Sequence, residues 1–168
     1  MSSSNPPAML EVDLREVVTQ SDREQTCTML LEERVPEASG RPRRVLPIYI
    51  GPVEALALGR AALGDRTPRP QTHDLVINVS EALGATLLRA MILRLDRHGE
   101  AATYIGAIEY LTAAGDRVVA DARPSDALVV ATLGRVPIFV ATSVMAAAGM
   151  PLPDDPDADP PSSGVDGS

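Results

Sequence analysis

The chain contains no lysine and no tryptophan, one cysteine (Cys27), and aromatic residues at only 2% of its length, namely Tyr49, Tyr104, Tyr110 and Phe139. One cysteine excludes an internal disulfide framework and a cysteine-based zinc site. So few rings leave no platform for stacking successive bases, which argues against sequence-specific RNA reading. No apolar run approaches the roughly 18 residues needed to span a bilayer. The polar start Ser2-Ser3-Ser4-Asn5-Pro6-Pro7 lacks the basic and apolar regions of a secretory signal. The simplest expectation is a soluble cytoplasmic protein.

What is present fits one globular domain. The chain has 168 residues, of which 45% are hydrophobic and 23% charged, close to ordinary usage. The core must be built from Val, Leu, Ile, Ala and Met. The net charge of −8 is unevenly placed. Residues 1–150 carry 15 basic and 18 acidic residues, whereas residues 151–168 carry five Asp and no base. The body is therefore only mildly acidic and lacks the general basic excess of a duplex-binding protein. Its cations are all Arg, whose planar fork suits phosphate. Residues 1–8 read as a loose leader, residues 9–150 as the folded domain, and residues 151–168 as a disordered acidic, Pro-rich tail.

Hydrophobic patterning sets the expected elements. Leu10, Val12 and Leu14 alternate with polar residues, as in a strand with one buried face. Further strands are expected over Thr26–Glu32 and Val45–Ile50. Pro52 suits the first position of a helix running to Leu63, with Gly64 as its stop. Thr72 is the expected N-cap of a second helix, stopped by Gly84. Thr86–Leu95 and Ala102–Leu111 form a hairpin around Asp96-Arg97-His98-Gly99, followed by a strand from Arg117 to Ala120. Pro124-Ser125 opens a third helix ending near Gly134. A short strand follows over Pro137–Val140, then a last helix capped by Thr142 or Ser143 and ended by Gly149. Strands and helices do not alternate regularly. The expectation is a single compact α+β domain with a mixed, mostly antiparallel sheet and flanking helices.

No phosphate loop, dinucleotide fingerprint or nucleophile elbow occurs. Cys27, inside a strand pattern, reads as a small buried residue, and His98 in a hairpin turn as a solvated one. Three polar clusters stand out, each at a helix start: Ile50-Gly51-Pro52-Val53-Glu54, Arg69-Pro70-Gln71-Thr72-His73-Asp74, and Asp121-Ala122-Arg123-Pro124-Ser125-Asp126. The plain reading is structural. First-turn carboxylates complement the helix dipole by ~0.3–1 kcal/mol, Thr72 and Ser125 cap, and Arg123 pairs with its acidic neighbours. The sharper reading brings the clusters together in space. Glu54, Asp74, Asp121 and Asp126 would then supply oxygen ligands for a divalent cation such as Mg²⁺ or Mn²⁺. Within that set, Glu54, Asp74 and Asp126 would bind the metal or activate water. His73 would move a proton, Arg69 and Arg123 would hold phosphate, and Ser125 would add a substrate contact.

The same strings carry a resemblance. Leu46-Pro47-Ile48-Tyr49-Ile50-Gly51-Pro52-Val53-Glu54-Ala55, then Pro68-Arg69-Pro70-Gln71-Thr72-His73-Asp74-Leu75, then Val119-Ala120-Asp121-Ala122-Arg123-Pro124-Ser125-Asp126-Ala127 with Val136-Pro137-Ile138-Phe139-Val140, resemble the signatures of the bifunctional nuclease domain family, in that family's order. The resemblance spans about residues 9–150. It implies an α+β domain with a partly rolled sheet, homo-oligomers, and hydrolysis of phosphodiester bonds in both DNA and RNA. Glu54, His73, Asp74, Asp121, Arg123, Ser125 and Asp126 fall on its polar signature positions. The hairpin around His98–Tyr104 follows the family's Gly-Thr-Phe-Tyr pattern loosely, and Val129-Val130 stand where smaller residues are usual. The acidic tail is an addition that would repel nucleic acid. The alternative reading is a non-enzymatic oligomeric binding or regulatory module, in which the clusters serve as caps and contacts.

Overall fold

The structure, a computed structural model, describes residues 7–19, 27–35, 40, 42–65, 67–98 and 101–152. The expected leader, apart from Pro7 and Ala8, and the tail from residue 153 lie outside them. The elements run β1 (Met9–Thr19), β2 (Cys27–Glu33), β3 (Arg44–Ile50), α1 (Pro52–Leu63), α2 (Thr72–Ala82), β4 (Thr86–His98), β5 (Ala101–Leu111), β6 (Arg117–Ala122), α3 (Pro124–Gly134), β7 (Ile138–Ala141), α4 (Thr142–Ala148) and β8 (Met150–Pro151). All strands join one sheet in the order β6-β5-β4-β7-β1-β2-β3-β8. The β4–β7 pair is parallel and the other pairs are antiparallel. This is the mixed, mostly antiparallel α+β domain the patterning implies.

The period-2 alternation is realised as a continuous apolar face. Ile108 pairs with Ala90, Ala90 with Ile138, and Ile138 with Val12. On the other side of β1, Leu14 pairs with Leu31 and Leu31 with Leu46, while Met29 pairs with Ile48. Leu58 of α1, Ala127–Ala131 of α3, and Val144 and Met145 of α4 complete this core. The sheet is curled around it. Tyr104 on β5 donates its hydroxyl hydrogen to the Pro47 carbonyl on β3 at 3.4 Å. Those strands stand five places apart in the sheet, roughly 24 Å if it were flat. The short α4 likewise touches β4, β7 and β3.

Several boundaries differ from the sequence expectation. Asp96, Arg97 and His98 continue β4 rather than turning, since they pair with Thr103, Ala102 and Ala101. β6 extends to Ala122. Met150 and Pro151 add an eighth strand by pairing with Val45 and Arg44, so the first tail residue belongs to the sheet. The residues preceding the helices are Gln71, Arg123 and Ala141, in place of Thr72, Ser125 and Thr142. Thr72 and Thr142 are instead the first helical residues, and Ser125 follows Pro124 inside α3.

α3 is the hub. It is buried from Ala127 through Ala131 and packs on α1, α2, β4 and β5, as expected of a helix that is apolar on nearly every side. Its start is pressed onto β5 at Gly106. A Cβ there would lie 2.9 Å from the Ala122 carbonyl oxygen, 3.0 Å from the Pro124 nitrogen and 3.1 Å from its Cα. These are backbone atoms of the turn that presents Arg123. Replacing Gly106 with Ala is expected to cost about 1–3 kcal/mol through overpacking and to displace that turn. Urea unfolding of Gly106→Ala measures it, and an unchanged midpoint would show that the approach is not tight.

Candidate active site

Three helix starts meet at one place. Glu54 is in the first turn of α1, His73 in the first turn of α2 and Asp126 in the first turn of α3. Arg123, immediately before α3, joins two of them. Its Nε donates to Asp126 Oδ2 at 2.8 Å, one terminal nitrogen donates to Asp126 Oδ1 at 3.1 Å, and the other donates to Glu54 Oε1 at 2.9 Å. His73 Nε2 lies 3.1 Å from the same Asp126 Oδ1. Glu54 lies back over Gly51, where an added Cβ would sit 2.5 Å from Glu54 Oε2.

The Arg123 fork grips the Asp126 carboxylate in bidentate fashion, the strong geometry for this pair. The Arg123 hydrogen bonds hold Asp126 below the ordinary carboxylate range. Partial burial opposes that shift, and the His73 contact reinforces it. Arg123 is pushed up by the same two carboxylates, Asp126 first and Glu54 second. Asp126 therefore stays ionised at neutral pH. As an acceptor only, it fixes a hydrogen on His73 Nε2 when the imidazole is neutral, which leaves Nδ1 as a base.

The remaining expected site residues are placed as follows. Asp74 accepts the Gln71 backbone N–H at 2.9 Å, so it caps its own helix. Asp121 lies on β6 opposite Ala107 and is exposed. Ser125 is buried in the first turn of α3. Arg69 lies exposed in the bend before α2, where its carbonyl accepts the Thr67 hydroxyl at 2.6 Å. The structure thus brings together Glu54, His73, Arg123 and Asp126. It does not add Asp74, Asp121 or Arg69 to their hydrogen-bonded cluster.

Of the residues expected to hold a divalent cation, Glu54 and Asp126 are bonded by Arg123, and Asp74 and Asp121 stand outside their cluster. Among the described residues no group of three or more His, Cys, Asp and Glu side chains is gathered to hold a metal ion. The place between the Glu54 and Asp126 carboxylates is taken by the Arg123 guanidinium.

A groove that the sequence reading missed opens beside His73. It runs between α1, α2 and α3 with a volume of about 500 Å³. One face of α2, carrying His73, Ile77 and Glu81, lines it. The opposite face exposes Leu75, Val76, Val79 and Leu83, and no residue of α2 is buried. The spacing in the α2 segment contains both stripes, but nothing in a single sequence says which one faces the groove.

A curled mixed sheet over a buried central helix, with an Arg–carboxylate–His cluster where three helix starts converge, defines a class of small α+β domain. Residues 35–153 match the bifunctional nuclease domain, and the chain belongs to that family. Two proteins of Mycobacterium tuberculosis, uncharacterized protein MT1877 of strain CDC 1551 and uncharacterized protein Rv1829 of strain H37Rv, are each 38% identical to it over 122 residues, covering 72% of this chain and 68% of theirs. The matched segment starts after β1 and β2, yet those strands sit between β7 and β3 in the sheet.

The depressed Asp126 pKa fixes a pH dependence. A carboxylate whose folded pKa lies below its unfolded value stabilises the fold above the unfolded value, near 3.8, and that contribution is lost as pH falls through the folded pKa. Asp126→Asn is expected to flatten the acid limb of the stability profile below about pH 4. Urea midpoints between pH 2 and 7 measure it; parallel profiles for wild type and variant would contradict the assignment.

Proposed function

We propose that this domain hydrolyses phosphodiester bonds in DNA and RNA, with the Glu54–Arg123–Asp126–His73 cluster as its centre. The observation that carries this reading is the His73–Asp126 contact, which leaves one imidazole nitrogen available as a base beside a cation and three helix N-termini. His73 Nδ1 takes a proton from water as the water oxygen attacks phosphorus. Asp126 orients the imidazole and offsets the charge it gains. Arg123 has one N–H on each terminal nitrogen beyond those engaged with Glu54 and Asp126, and these face the added charge on the phosphoryl oxygens. The phosphorus–oxygen bond to the leaving group breaks, and that oxygen is protonated by solvent at the open side of the cluster. With so few aromatic residues, little sequence preference is expected. A divalent cation would have to displace Arg123 from both carboxylates, so none is used in this account.

A specific observation favours the second reading, a binding or regulatory module. The Arg123, Glu54 and Asp126 side chains are already paired with one another, as a purely structural clamp would be. Cleavage of labelled single-stranded DNA and RNA, with Mg²⁺, Mn²⁺ or chelator, separates the two. His73→Gln and Asp126→Asn are expected to slow cleavage by about 10²-fold or more while the folded far-UV spectrum is kept. Cleavage that persists in both variants places the chemistry elsewhere, and its absence from wild type under all conditions leaves the module reading.

The outer face of α2 supports self-association. Leu75, Val76, Val79 and Leu83 recur at helical spacing, and Val53, Leu56 and Leu63 extend exposed apolar surface along α1. Clusters of this kind mark contact surfaces. The domain is proposed to form homo-oligomers through this face. Sedimentation equilibrium is expected to give a mass above the 17.7 kDa chain, reduced by Val79→Asp with Leu83→Asp. A wild-type monomer at all concentrations would refute it.

A further inference from the structure

We propose that the groove between α1, α2 and α3 is a nucleotide subsite, in which Arg135 holds a phosphate of the strand and the helix walls take the attached sugar and base. The inference rests on the hydrolytic reading of the adjoining cluster and names where the substrate beside it lies. Ala61 of α1 and Ile77 of α2 form apolar walls, and Val129 and Leu133 of α3 the floor. Its volume, about 500 Å³, is in the range of small-molecule sites. His73, bonded to the start of α3, and Arg135, just past the last residue of α3, both line the groove. Asp126 and Arg135 are separated along the helix by roughly 14 Å, room for a short stretch of strand leading to the reacting phosphate.

Arg135 is distinctive in two independent ways. It has φ 53°, the one positive-φ non-glycine among the described residues, where a residue with a side chain is disfavoured and Gly or Asn is usual. It is also one of the few described arginines with no ion pair. Arg15, Arg34, Arg43, Arg44, Arg60, Arg89, Arg94, Arg117 and Arg123 all face carboxylates. A strained backbone that carries an unneutralised cation into a groove that a candidate catalytic imidazole also lines fits an anion with an organic body. Nearby carboxylates limit the charge that the groove accepts. Asp65 faces Arg60 at 3.5 Å and Asp74 caps Gln71, but Glu81 also lines the cavity. One phosphate with its nucleoside suits this balance better than a run of phosphates.

The test is an amide-resolved NMR titration of the full chain with deoxyadenosine 5′-monophosphate, which contains no bond for a phosphodiesterase to cut. Saturable shifts are expected at groove amides such as Gly64, Asn78 and Thr132. Arg135→Gly relieves the backbone strain and removes the cation; it is expected to melt no lower than wild type and to bind about ten-fold more weakly. Ala57→Leu, which fills the groove without changing charge, is expected to weaken binding similarly. Absence of groove shifts, or wild-type affinity in both variants, overturns the proposal. So does inorganic phosphate binding as tightly as the nucleotide, since the walls would then contribute nothing. If Arg135→Gly fails to fold, Ala57→Leu decides. Groove binding without cleavage by wild type would remove the hydrolytic reading and leave the subsite; cleavage without groove binding would do the reverse.

Discussion

Arg123 carries the one cation in the hydrogen-bonded cluster where α1, α2 and α3 begin. Each start presents outward-facing backbone N–H groups, and α1 and α3 also place a carboxylate in their first turns, Glu54 and Asp126. The carboxylates complement the helix dipoles but repel each other when brought together. The Arg123 guanidinium resolves that conflict by bonding both, and His73 then docks against an Asp126 that stays ionised. Its position depends on a contact that involves no charge, the approach of Ala122 and Pro124 to the bare Cα of Gly106. A local packing constraint on β5 thus sets the electrostatics of the cluster.

Element types were legible in the sequence because the period-2 strands and the Pro- and Gly-punctuated helices follow local rules. α1 illustrates this, with Pro52 opening it and Gly64 closing it in a left-handed conformation. Differences arise where tertiary contacts decide. Asp96–His98 stay in β4 because the partner strand continues beside them, which outweighs their turn-like composition. Gly134 reads as the stop of α3, yet the left-handed residue is Arg135. A Cβ on Gly134 would meet Leu87 Cδ2 at 2.5 Å, and the next residue takes the left-handed backbone.

The candidate site was legible to the same degree and for the same reason. Three helix starts with acidic first turns are local features, so Glu54, His73, Arg123 and Asp126 could be singled out from residue type and position. Which of them meet is a property of the fold. Asp74 bears a carboxylate like the others, but its bond to the Gln71 N–H makes it a cap. Asp121 lies on a strand rather than a helix start, opposite Ala107. The groove was hidden because its walls come from α1, α2 and α3 together and Arg135, its cation without an ion pair, sits in a helix-ending turn.

The charge balance narrows how such a domain would hold a polyanion. A chain with net charge −8 does not attract nucleic acid over long range. Most of its described arginines are tied into ion pairs, such as Arg89 and Arg117 on the buried Glu109. Burial raises the Glu109 pKa, but these two partners more than offset it and hold the carboxylate below the ordinary range. On the proposed reading, contact with a strand would come from a few short-range groups rather than a broad basic face, among them the remaining N–H donors of Arg123, the helix N-termini, and Arg135. Few phosphate contacts would release few counterions, so such binding would depend only shallowly on salt, and shape at the groove would have to supply what charge does not.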